Sequence, residues 1–102
     1  MERKDREGVP HLELVGELDL STAGPLKLRL ELAERDDTDT IVVDLRRVTF
    51  MDSIGLGILL AHGLRAKQAG RRLQLVQGPR HIQDLFELTG TTDKFDWVPA
   101  PA

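Results

Sequence analysis

Residues 41–60 read IVVDLRRVTFMDSIGLGILL, and the change of pattern inside them decides the fold. With Thr40 in front, TIVVDL (40–45) is a β-branched apolar run, as expected of a strand covered on both faces. RRVTFMD then leads to Ser53 and a long helical pattern that ends near AGRR (69–72). With Leu56 as reference and about 100° per residue, Leu59, Leu60, Gly63 and Lys67 cluster within about 60° of it. That arc is the expected core face; Ile54, Ile58, Ala61 and Arg65 fall on the opposite, outward side.

The chain on either side repeats the alternation. HLELVGELDL (11–20) places Leu12, Leu14, Leu18 and Leu20 at strand spacing, with Gly16 marking a bend or bulge. STAGPLKLRLELAERDD (21–37) is rich in helix formers, Ser21 or Thr22 can cap it, and Pro25 suits its first turn. Leu26, Leu30 and Ala33 share a face there, which leaves Leu28 and Leu32 off the stripe. RLQLV (72–76) reads as a strand. A helix follows between Pro79 and Gly90, with Ile82, Leu85, Phe86 and Leu88 or Thr89 as its stripe. KFDWV (94–98) is a short last strand, and residues 99–102 are expected to fray. The expectation is one α/β domain over residues 1–98: a mixed sheet of four to five strands with helices packed against it, in the order β-α-β-α-β-α-β.

Bulk properties narrow the function. At 102 residues the chain supports a single core. A net charge of −3 disfavours nucleic acid as the main partner. With no cysteine there is neither a disulfide nor a thiolate metal site. The longest apolar run is too short to span a bilayer, and MERKDREG at the start has no leader character. A cytoplasmic location, no membrane partner and a monomer are the expectations, the last because no helix carries a heptad seam.

Catalytic patterns are missing. His11, His62 and His81 are scattered with no i, i+4 pair, and His62 falls on the outer half of its helix. The pair Asp36–Asp37 reads as a solvated turn. Gly55-Leu56-Gly57 lacks the rest of any phosphate-loop motif, and DSIG lacks the leading glycine of a nucleophile elbow. No enzyme activity, cofactor or metal is expected.

Ser53 itself has two readings. Before a helix it is an expected N-cap, worth about 1 kcal/mol against alanine. Its surroundings also suit a docking site: Gly55 and Gly57 weaken the first turn by roughly 0.5–1 kcal/mol each relative to alanine, yet permit close approach. Ile54 and Ile58 project as outward apolar residues.

VGELDLSTAGPL (15–26), IVVDLRRVTFMDSIGLGILL and AGRRLQLV (69–76) resemble the STAS-domain anti-sigma factor antagonists of bacteria, in order over about residues 7–98. The resemblance implies that Ser53, directly after Asp52, is a phosphoacceptor. It implies a partner that is both anti-sigma factor and serine kinase, bound by the unphosphorylated form so that the sigma factor is released. A serine phosphatase of the metal-dependent type would reverse the modification. Asp19, Leu20, Ser21 and Thr22 would border the acceptor loop and join Asp52, Ile54, Gly55, Gly57 and Ile58 as the docking surface. On the residues alone, Asp19 can equally hold a turn and Ser21 or Thr22 merely cap. Many relatives have a second hydroxyl where Ile54 stands, and an additional first edge strand, which here must be short, polar or absent. The alternative role is a STAS scaffold or regulatory subunit of another assembly, either a stress-sensing complex or a transporter partner. Nucleotide binding at Gly55–Gly57 ranks last.

Overall fold

The long β-branched run pairs on both sides, which makes it the centre of the sheet. The computed structural model describes residues 1–36 and 38–101. Its five strands lie in the order β1-β2-β3-β4-β5: Glu2–Arg6, Val9–Leu18, Thr40–Met51, Arg72–Val76 and Asp96–Val98. β1 is antiparallel to β2; β2 through β5 are all parallel neighbours. Three helices connect the parallel strands: α1 (Ala23–Arg35), α2 (Ser53–Gln68) and α3 (Arg80–Leu88). The first strand exists, and it is short and polar, ERKDR, a composition that suits an edge because charge discourages pairing with other chains.

One face of the sheet carries the core. Leu12, Leu14, Ile41, Val43, Leu45 and Leu75 alternate onto it and meet Leu26, Leu30 and Ala33 of α1, Leu56 and Leu59 of α2, and Ile82 and Phe86 of α3. Phe86 sits edge-on to Phe95 and Trp97, with ring centroids 5.3 and 5.0 Å away, a favoured aromatic geometry. Trp97 Nε1 donates to Thr92 O at 2.9 Å, so the half-buried indole has no orphaned donor. Val42 and Val76 are buried on the other face, outside that cluster, as a strand covered on both sides requires.

Several boundaries differ from the expectation. β3 runs on to Met51 because its register slips twice against β2, and the slips let an irregular sequence stay paired. Gly16, at φ 89°, lies at one of these slips, where a side chain would be strained. The last strand starts at Asp96, since Thr92–Lys94 form a 3-10 turn. Leu88 is exposed at the end of α3, whose buried residues are Ile82 and Phe86. Asp36 follows α1 and is hydrogen-bonded by Arg3 of β1, whereas Asp37 and the last tail residue, Ala102, lie outside the described residues. Among the described residues no helix is long and apolar enough to cross a membrane.

α2 needs the largest correction. Its buried residues are Gly55, Leu56, Ile58, Leu59 and His62, an arc rotated away from the one centred on Leu56. Ile58 is only 7% exposed and belongs to the core, not to an outward face. His62, expected on the surface, is 8% exposed, with Nδ1 2.5 Å from Glu34 Oε1 of α1. α2 is packed by the sheet on one side and by α1 on the other, and Ile58 and His62 lie one turn apart on the α1 side. Apolar residues almost all round the helix left the sequence with no sharp stripe to place.

Gly55 is where α2 crosses the end of β2: a Cβ there would fall 2.6 Å from Leu18 O and 2.8 Å from Leu18 Cβ. A Cβ on Gly57 would meet nothing within 4 Å. Gly55→Ala is therefore expected to destabilise by about 1–3 kcal/mol through overpacking. Gly57→Ala should gain up to about 1 kcal/mol in helix propensity. Urea denaturation of both variants gives the comparison; equal effects would mean that the Leu18 contact does not constrain the helix.

Candidate functional site

The strands β2 and β3 stay paired to Leu18 and Met51, and Asp52 N still donates to Leu18 O at 3.3 Å. Both chains then leave the sheet at the same end: β2 enters a 3-10 turn at Leu20–Thr22, and β3 enters α2. This pairing brings the Asp19–Thr22 and Asp52–Gly55 segments together, as the family resemblance implied.

Asp52, and not Ser53, caps α2. Its backbone is extended, at φ −112° and ψ −172°, and its Oδ1 accepts from Ile54 N at 2.9 Å and Gly55 N at 3.3 Å. Leu56 N donates to Asp52 O at 3.0 Å and closes the first helical turn. The carboxylate also places its negative charge at the positive end of the helix. Ser53 is the first helical residue; it is exposed, and among the described residues its hydroxyl has no hydrogen-bond partner. The cap reading of Ser53 fails because the preceding side chain already reaches the helix amides.

A second cap orders the neighbouring loop. Asp19 Oδ1 accepts from Ser21 N at 2.9 Å and Ser21 Oγ at 2.6 Å, while Asp19 N donates to Thr22 Oγ1 at 3.0 Å. Thr22 Oγ1 donates in turn to Glu17 O at 2.8 Å. The Ser21 hydroxyl, ahead of the backbone donors, holds the Asp19 carboxyl below its ordinary pKa. Asp19, Ser21 and Thr22 thus build the turn, and Thr22 makes no side-chain bond to the amides of α1. They fix a loop beside the serine, with Leu20 75% exposed at its tip.

Of the remaining candidates, Ile54 is 39% exposed and Gly57 is open, next to Ser53. Gly55 and Ile58 are buried by the protein's own β2 and core, so the close approach at Gly55 is made by Leu18 and not left for another molecule. Sequence reading missed Phe50, which is 48% exposed two residues before the cap. An apolar residue inside a strand pattern gives no sign that a register slip has turned it outward. Among the described residues no three His, Asp or Glu side chains are grouped as metal ligands. His11 and His81 contact backbone carbonyls of Val9 and Thr49, and His62 contacts Glu34; the three are not brought together.

The model of a family described as "Mlab, STAS domain" matches residues 2–98. An anti-sigma-B factor antagonist of Staphylococcus aureus (strain NCTC 8325 / PS 47) is 36% identical over 78 residues, spanning 76% of this chain and 72% of the relative. One from Listeria monocytogenes is 32% identical over 95 residues, or 91% and 82% of the two chains. Among solved structures, an anti-sigma factor antagonist from Mycobacterium paratuberculosis superposes with a TM-score of 0.86 at 27% identity, over 97% of this chain and 84% of that one. The phosphorylated form of SpoIIAA shares the fold, with a TM-score of 0.73 at 20% identity over 98% and 90%.

Two outcomes check the caps. Asp52→Ala should lower stability by about 0.5–2 kcal/mol while Ser53→Ala leaves it nearly unchanged; the reverse order in denaturant midpoints would restore Ser53 as the cap. For Asp19 the folded pKa is lowered, so its contribution to stability is complete above the ordinary carboxylate range and fades as pH falls through the folded value. An NMR titration should find its midpoint below that of a free aspartate, and Ser21→Ala should move it upward.

Proposed function

The chain belongs to the STAS-domain family of anti-sigma factor antagonists, and from that premise we propose that Ser53 is its phosphorylation switch. As a member of this family it is a regulatory, non-enzymatic protein. The unphosphorylated form binds a cytoplasmic anti-sigma factor that is also a serine kinase, and the sigma factor is released. Transfer of the γ-phosphoryl of ATP to Ser53 Oγ breaks the bond between the γ-phosphorus and the bridging oxygen, releases ADP and the hydroxyl proton, and blocks that binding. A metal-dependent serine phosphatase hydrolyses the ester and restores the binding form. The protein acts as a monomer on this reading.

The observation that carries the reading is the division of labour at the turn: Asp52 holds the helix and leaves the Ser53 hydroxyl exposed, with no partner among the described residues. Esterifying that oxygen removes no hydrogen bond from the fold. A phosphate brings about −1.5 to −2 charges, and the positive end of the helix dipole tolerates an anion. In a complex the same charge, beside Asp52 and Asp19, meets a surface matched to a neutral hydroxyl, where uncompensated like charge costs several kcal/mol. About 3 kcal/mol already exceeds 100-fold in affinity. Support also comes from SpoIIAA, which has the same fold and exists in a phosphorylated form. With Ile54 following, the motif holds a single acceptor.

The test uses ATP and the serine kinases of the protein's own source. Mass spectrometry should find one phosphate, on Ser53, and none in Ser53→Ala. Ser53→Asp should weaken binding to the anti-sigma factor at least 100-fold with an unchanged unfolding midpoint. Label that survives in the alanine variant, or equal affinity of the aspartate variant, would sink the switch.

A further inference from the structure

β4 pairs with β3 only as far as Asp44 and Val76, so beyond that point β2 and β3 run on as a two-stranded ribbon to Leu18 and Met51. Two register slips put extra residues into β3: Glu13 and Val15 face Asp44 and Arg47, and Gly16 and Glu17 face Val48 and Phe50. Val48, Met51 and Leu18 point into the helix-covered core. Alternation therefore sends Val15 and Arg47, then Glu17 and Phe50, to the face that no helix covers. Phe50 and Val15 keep 48% and 43% of their surface in water, although both are apolar. Arg47 is exposed and, among the described residues, forms no ion pair or hydrogen bond.

The position of the ribbon identifies its occupant. Phe50 and Ser53 are three residues apart, at most about 10 Å along the chain. A specific interface covers about 800 Å² on each partner, far more than a patch confined to the serine. Aromatic residues and arginine are the side chains that most often dominate binding energy at such interfaces. The geometry points to a second contact zone on the helix-free ribbon face for the same anti-sigma factor that reads Ser53. Phe50 is its apolar anchor, flanked by Val15, and Arg47 meets an acidic group of that partner. This rests on the proposed function. Phosphate at the tip opposes the complex while the ribbon contact stays chemically unaltered. The same contact gives the kinase a hold on its substrate that does not involve the reacting hydroxyl.

The experiment compares wild type, Phe50→Ala, Val15→Glu, Arg47→Glu and, as a control on the outer surface of α1, Leu28→Ala. For each, the dissociation constant with the anti-sigma factor and the KM and kcat of Ser53 phosphorylation are measured, with thermal unfolding alongside. Phe50→Ala should raise both the dissociation constant and KM at least tenfold with kcat within about twofold, the pattern of lost binding rather than lost chemistry. Arg47→Glu should do the same, more strongly at low salt. Val15→Glu covers the case in which Phe50→Ala lowers the unfolding midpoint, and Leu28→Ala should match wild type. Unchanged constants in the folded ribbon variants, while Ser53→Asp still abolishes binding, overturn the inference and leave the switch standing. A wild-type chain that neither binds nor is phosphorylated overturns both.

Discussion

The contact on which the site depends is the one between the end of β2 and the start of α2. Asp52 N donates to Leu18 O, and Gly55 lies so close to Leu18 that a methyl group would collide with that same carbonyl. The strand pair and the helix are thereby locked at a fixed angle. The direction of the Asp52 cap, the exposure of Ser53 and the proximity of the Asp19 turn all follow from that lock. Gly55 is therefore a packing residue of the site, and it acts by being small. Gly57, two residues on and on the opposite side of the helix, carries no such constraint.

On the proposed reading, separating cap from acceptor has a physical logic. A serine that both capped the helix and carried the phosphate would lose or rebuild its backbone hydrogen bond at every cycle. Asp52 removes that conflict because a carboxylate already satisfies the Ile54 and Gly55 amides. On the proposed reading, the change a partner meets is then the phosphate charge itself, since the Asp52 carboxylate is the same in both states. Asp19 does for its own turn what Asp52 does for α2, with Ser21 and Thr22 completing the bonds. Two acid-capped turns then flank one exposed hydroxyl.

Much of this was legible in the residues. The β-branched run, the alternation in RLQLV and the proline and glycine around α3 placed the elements, because each pattern is local. The bulge at Gly16 was legible for the same reason. What failed depended on tertiary contact. Nothing in ILLAHGL says that α1 will cover Ile58 and His62, and the helix is apolar on too many sides for periodicity to decide. Nor does DS reveal which of two competent side chains caps, since that depends on the strand delivering Asp52 in an extended conformation beside Leu18. Phe50 was hidden by a register slip, which inverts the side-chain alternation without any change in residue type.

A local switch of the proposed kind needs a frame that does not respond to it. The ribbon tip is held by main-chain bonds to β2, by the Asp52 cap and by a histidine of α3, whose ring contacts the Thr49 carbonyl at the second slip. None of these involves the Ser53 hydroxyl. Among the described residues, charge added there has no internal partner to displace, so its free-energy effect is directed outward, to whatever surface lies against the tip. On the proposed reading the fixed frame is part of the signalling chemistry: a tip that relaxed around a phosphate would spread the charge over the protein's own amides and blunt the discrimination a partner can make.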